Sequence, residues 1–162
     1  MVDVLPLPRG ITGFIQQGEK LPWVDAPDFK RVCYEAARSM GARVVRVDSA
    51  DGKVDRNYHA AEVQIDAKRI LVLCNAHYPW LALVESSAKV ELGSPIFDLG
   101  WEDVPAMTQA LEAFSEFRVL DVMYLESVPE PQVLQHLWEG EVKQIRLWKP
   151  RNIGEIIFNP WD

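Results

Sequence analysis

Cys74 and His77 stand three apart, the spacing at which an imidazole can reach a thiol across a turn and activate it as a nucleophile. Reactivity also needs a polarising environment around the sulfur. Cys74 instead closes the apolar run Ile70-Leu71-Val72-Leu73, so a buried, inert thiol is expected. Two carboxylate pairs, Glu102-Asp103 and Glu112/Glu116, could divide acid and base roles if a cleft shifted one member of a pair. The first pair falls where acids favour a helix N-terminus in any case. The second is spaced i,i+4 on a solvated helix face, where like charges repel mildly. His59 and Glu62, with Arg56 nearby, have an odd separation that puts them on opposite faces of a strand. His59 shares its face with Ala61 and Val63 and is expected to be a part-buried, satisfied histidine.

None of these arrangements is assigned as catalytic. Phosphate-cradling GxGxxG and GxxxxGK[ST] loops are missing, as is a GxSxG elbow. There is no CxxC or HxxxH spacing, and the three histidines, His59, His77 and His136, are far apart, so no metal and no cofactor are expected. Cys33 and Cys74 both fall among apolar residues and read as small buried hydrophobes. A single disulfide between them stays open, although nothing else points to an oxidising compartment.

The feature that stands above this background is charge. Between Val90 and Val142 there are eleven carboxylates (Glu91, Asp98, Glu102, Asp103, Glu112, Glu116, Asp121, Glu126, Glu130, Glu139 and Glu141) and one base, Arg118. That stretch carries −10, whereas the whole chain carries −7 and Met1 to Trp80 is nearly neutral. A concentrated negative surface repels nucleic acid and anionic membranes and steers basic proteins toward it. The first helix offers Lys30, Arg31 and Arg38, but the total charge opposes nucleic-acid binding. Asp121 interrupts the apolar run Val119 to Met123. A carboxylate there is costly unless it is paired or at an exposed edge; pairing with Arg118 and a site for a basic partner are the two readings.

The elements that must position these residues follow from periodicity. Phe29, Val32, Cys33, Ala36, Ala37 and Met40 form one helical stripe over Pro27 to Met40, with Asp25 as N-cap and Gly41 as stop. A short strand is expected around Ile11 to Gln16, and further strands at Ala42–Val47, His59–Ile65, Arg69–Cys74 and Trp80–Val84, the last three in an antiparallel meander. After a loop with Gly93 and Pro95, a second helix is expected from Val104 to Phe117, capped by Asp103, with Thr108, Gln109, Glu112, Ser115 and Glu116 outward. Val119–Leu125 reads as a strand. A short helix opens at Pro129 and Pro131 and is ended by Gly140, and Lys143–Trp148 alternates like an edge strand. The apolar tail from Asn152 to Asp162 is expected to dock on the body.

Consecutive strands flanked by helices predict an α+β fold, a mainly antiparallel sheet of five to six strands with two to three helices packed against it. A length of 162 residues with 48% hydrophobic content suits a single domain, 1–162, able to bury a core unaided. Met1 to Arg9 has no basic n-region or long apolar core, and no run reaches the roughly 18 apolar residues of a membrane span, so a cytoplasmic protein is expected. Six tryptophans supply core rings and could anchor a partner.

The C-terminal Lys149-Pro150-Arg151-Asn152-Ile153-Gly154-Glu155-Ile156-Ile157-Phe158-Asn159-Pro160-Trp161-Asp162 resembles the ending of bacterial proteins of about this size. In size, acidity, Trp content and lack of catalytic motifs the chain resembles small bacterial toxin-immunity proteins. The resemblance implies a non-enzymatic bacterial protein. The one-sign charge, as on inhibitors of basic enzymes, adds the expectation that it occludes the basic active site of a toxin, such as a nuclease. It transfers no site residues. From the charge pattern, the expected partner-binding residues are Trp101, Glu102, Asp103, Glu112, Glu116 and Asp121, on a monomer or homodimer. The alternatives are a small hydrolase or transferase with a carboxylate or His59/His77 site, and a structural subunit of a homo-oligomer.

Overall fold

A computed structural model of the chain describes residues 5–53, 56–85, 100–114 and 116–161. Glu91, Gly93, Pro95, Asp98 and Ser115 lie outside the described residues. The described elements run α1 (Ala26–Met40), β1 (Arg43–Asp48), β2 (Tyr58–Ile65), β3 (Lys68–Asn75), β4 (Trp80–Glu85), α2 (Pro105–Glu112), β5 (Arg118–Val119), α3 (Val122–Leu125), α4 (Pro131–Leu134), α5 (Glu139–Trp148) and α6 (Ile153–Ile157).

The five strands form one sheet in sequence order. β1 to β4 are an antiparallel meander, and β5 adds in parallel to β4, with Trp80 opposite Arg118. The expected α+β class holds. The side-chain alternation of a strand splits the core cleanly in two. Ala61 and Val63 of β2, Val72 and Cys74 of β3 and Leu81 and Leu83 of β4 face α1 and α2. Ala60, Leu71, Leu73, Ala82 and Val84 face the N-terminal segment, the later helices and the tail. Covered on both faces, β3 reads as the near-continuous apolar run expected of a central strand. α1 is the stripe that the sequence predicts, with Phe29, Val32, Cys33, Ala36 and Ala37 buried. It stops where Gly41 turns left-handed at φ 70°.

Four local expectations are overturned, all outside the meander. Ile11 to Gln16 is turn and coil rather than strand. α2 ends at Glu112 and is capped by Val104 rather than Asp103. The run Val119–Leu125 pairs only through Arg118 and Val119. It then becomes α3, because the Asp121 carboxylate accepts from Tyr124 N at 2.8 Å and starts a helix. Gly140 lies inside α5, and Lys143–Trp148 is helical, not an edge strand. The alternation of Ile145 and Leu147 was a coincidence of side-chain type: Ile145 is buried in phase with Glu141, one turn back, while Leu147 is 69% exposed.

The expected docking of the tail is realised by three buried asparagines. Asn57 and Asn75, at the ends of β2 and β3, each donate through Nδ2 to both Ile11 O and Ile157 O, over 2.8–3.0 Å. Asn57 Oδ1 accepts from Asn159 N at 2.8 Å, and Asn159 Nδ2 donates to Thr12 O at 3.1 Å and Ile156 O at 2.9 Å. The clip satisfies the backbone groups of two irregular segments that have no sheet partner, the condition for burying them at all.

Candidate functional site

The acidic stretch does not form one uniform surface. Of the nine acids in it that are described, Glu141 is fully buried. Its Oε1 accepts from Gly10 N at 2.8 Å and Trp138 N at 3.2 Å. Its Oε2 accepts from Thr12 N at 3.2 Å and Thr12 Oγ1 at 2.5 Å. This carboxylate fastens the N-terminal turn to the start of α5, and no cation pairs with it among the described residues. Glu102 is held by Lys68, and Glu116, past the end of α2, lies 3.9 Å from Arg31. Glu139 approaches Lys143 at 4.0 Å. These three pairs neutralise part of the charge that the sequence concentrates.

Three of the five remaining described carboxylates converge on one short segment. Glu112 accepts from Val119 N at 3.1 Å, Asp103 from Val122 N at 3.0 Å and Asp121 from Tyr124 N at 2.8 Å. The residues between 118 and 124 are thus laced by three exposed acids from α2, from the strand-to-helix connection before it and from the segment itself. Each acid gains an orienting hydrogen bond through one oxygen and keeps acceptor capacity on the other. The same lacing leaves Met123 81% exposed, and Val128, two residues beyond Glu126, is 65% exposed. An unbranched, polarisable side chain on a segment held by three exposed carboxylates is a surface that can adapt to an apolar groove with a basic rim.

Of the six residues expected to bind a partner, Asp103, Glu112 and Asp121 are brought together here. Glu102 and Glu116 are neighbours engaged in ion pairs. Trp101 is not an anchor: it is 8% exposed and packs on Phe158, with ring centroids 5.7 Å apart, and on the backbone of Gly154. Beside Glu102 and Asp103 at the expected start of the second helix it looks like an exposed anchor in sequence, yet the isolated bridge Val84–Trp101 carries it into the sheet. Met123 is the residue that sequence reasoning missed. Reading Asp121 as a helix cap, with the next residues counted in helical rather than strand phase, would have put Met123 outward.

The candidate catalytic groups separate. His59 is fully buried; its Nδ1 accepts from Ala50 N at 2.9 Å and its Nε2 donates to Val24 O at 2.8 Å. It is the satisfied structural histidine that was expected. Burial lowers its pKa below the ordinary 6.5, against the opposing hydrogen bond to Val24. Glu62 faces the other side of the sheet and meets Arg69 at 3.4 Å, while Arg56 pairs with Asp48. Both cysteines are free and buried, and burial pushes the Cys33 thiol up to about 12 and Cys74 well above its ordinary value. Neither is a nucleophile at neutral pH. No group of three or more His, Cys, Asp or Glu able to hold a metal occurs among the described residues. No helix among them is long and apolar enough to cross a membrane.

The chain matches no protein-family model, no curated protein and no solved structure.

Proposed function

We propose that this chain is a non-enzymatic protein-binding protein, an immunity protein that neutralises a cognate bacterial toxin by covering its basic active site. The observation that carries the reading is the convergence of Asp103, Glu112 and Asp121 on the segment that presents Met123. The carboxylates would steer a basic partner at long range. Once docked, Met123 and Val128 would supply the desolvated apolar contact, and the acids the rim that fixes orientation. A nuclease is a fitting partner class, because its own active site must be positive to hold nucleic acid. The toxin-immunity likeness of the tail and overall composition supports the same assignment.

The test is capture of the partner from native lysate, followed by its purification and an affinity measurement. The captured protein should be basic, bind stoichiometrically and lose its activity in the complex. Met123→Ala should weaken binding about tenfold, as an interface anchor does. Glu126→Lys, at an exposed position, should slow association and flatten its salt dependence. Binding that is indifferent to both substitutions and to salt would remove this surface from the function.

A further inference from the structure

A cavity of about 320 Å³ opens at the end of β2 and β3, between the N-terminal segment, the β1–β2 connection and the tail. Its chemistry is the reverse of the acidic face. No carboxylate lines it among the described residues, whereas Lys53, Arg56 and His77 do, together with the rings of Phe14, Trp23 and Trp161. Arg56 is neutralised by Asp48, which leaves Lys53 as the uncompensated charge among the described lining residues, and none of these residues belongs to the surface around Met123.

The Arg56 and His77 side chains in the cavity are already oriented. Arg56 is buried and fixed by Asp48 and by Ser49 O at 3.3 Å, and its Nε is buried with no hydrogen-bond partner among the described residues. Lys53 is exposed and makes no ion pair with a described residue. His77 Nδ1 lies 3.0 Å from Pro22 O. A carbonyl only accepts, so the proton sits on Nδ1 and the lone pair on Nε2. Nε2 has no protein partner among the described residues and points past Gly13, where an added Cβ would lie 3.7 Å from it. Burial lowers the pKa of His77, which keeps that lone pair available at neutral pH. The apolar walls are preassembled as well: Trp23 packs edge-on to His77 at 5.5 Å, and Phe14 meets Trp161 at 6.4 Å.

We propose that this cavity binds a small aromatic anion. The flat ring lies against the indoles, the carboxylate or phosphate sits on Lys53, and a ring N–H or O–H donates to His77 Nε2. The volume is at the lower end of small-molecule sites, with apolar walls and a few convergent polar groups. An acceptor nitrogen beside a cation selects for a ligand that carries both a donor and a negative charge. A purely apolar ligand would leave Lys53 and Nε2 unpaired, and a cation would be repelled.

The experiment uses the whole chain and follows tryptophan fluorescence, confirmed by calorimetry. Its probes are 4-hydroxybenzoate for the carboxylate source and uridine 5′-monophosphate for the phosphate source, with phenol and uridine as their neutral counterparts. One of the two anions should saturate with a Kd below about 1 mM and bind at least about tenfold tighter than its neutral counterpart. Lys53→Ala, at an exposed position, should lower affinity for that anion about tenfold while leaving the urea midpoint unchanged. Trp23→Ala should weaken the anion and its neutral counterpart alike. The proposal is overturned if neither anion binds in that range, if the neutral molecule binds as well as the anion, or if Lys53→Ala has no effect on a chain shown to be folded.

Discussion

Glu141→Gln asks how a buried carboxylate with no cation beside it is tolerated. Four donors point at it: Gly10 N and Trp138 N on one oxygen, Thr12 N and Thr12 Oγ1 on the other. A glutamine has one acceptor oxygen. If its amide nitrogen faces Gly10 and Trp138, two backbone donors lose their acceptor. If it faces Thr12, the hydroxyl can rotate and accept, and only Thr12 N is orphaned. The second orientation therefore wins. It costs one unsatisfied buried donor, about 1–3 kcal/mol, together with the charge assistance on the surviving bonds. Against this stands relief from desolvating a charge, which in a site without a cation is real. The net expectation is a loss of about 2 kcal/mol, or roughly 4–8 °C in Tm for a chain of this size. Glu141→Ala, which orphans all four donors, should lose about twice as much. Urea unfolding monitored by tryptophan fluorescence gives the free energies. Amide exchange at Gly10 and Thr12 localises the effect to the N-terminal turn. A Gln variant as stable as the parent would refute the reasoning, for it would mean that desolvation of the carboxylate cancels the hydrogen bonds that hold it.

Two further outcomes follow from the packing. His59 and His77 both have pKa values lowered by burial, so the unfolded chain takes up protons first as pH falls. Stability should be flat above the ordinary histidine value near 6.5 and should decline below it until the folded-state values are passed; an unchanged urea midpoint between pH 7.5 and 5.5 would contradict this, and His59→Gln should flatten the decline. Two glycines should respond oppositely to Ala. At Gly154 an added Cβ would lie 2.4 Å from Trp101 Cζ2, and overpacking should cost about 1–3 kcal/mol, whereas Gly140 in α5 has open space and should gain about 0.5–1 kcal/mol; equal midpoints for the two variants would show that Trp101 is free to move.

The part of the fold written in local periodicity was legible. α1 and the β2–β3–β4 meander follow from a stripe and from alternation because one dominant face or pair of faces is buried there, and the pattern has a single solution. The second half was misread where short elements depend on one polar residue. Asp121 looked like a defect in a strand and is the cap of a helix. Glu141 looked like one more surface acid and is the most enclosed charge in the described chain. In both cases the deciding interaction is a hydrogen bond to a backbone group, which leaves no periodic trace. The candidate surface was legible as charge, since Asp103, Glu112 and Asp121 do converge, but not as shape. Trp101 and Met123 exchange the roles that their residue types suggest, because an isolated bridge buries one and a helical cap turns the other outward. The cavity with Lys53 and His77 was not legible at all, as it is assembled from four segments far apart in sequence.

The asparagine clip also sets an order of events during synthesis. Asn57 and Asn75 sit on a meander that can form early from near neighbours, and Ile11 O precedes them in the chain, whereas their second acceptor, Ile157 O, follows them by 100 and 82 residues. Closing so long a loop is entropically slow, and such contacts delay folding. The sheet can therefore assemble before the tail docks, and until it does Asn57 and Asn75 lack one of their two acceptors and Thr12 O lacks its donor from Asn159. A chain that stalls before that point carries polar groups in its interior that nothing answers, and proteases that sample open states would meet it first. Docking of residues 157–159 is thus the late step that should make the molecule resistant, because it supplies the partners that both ends of the clip need.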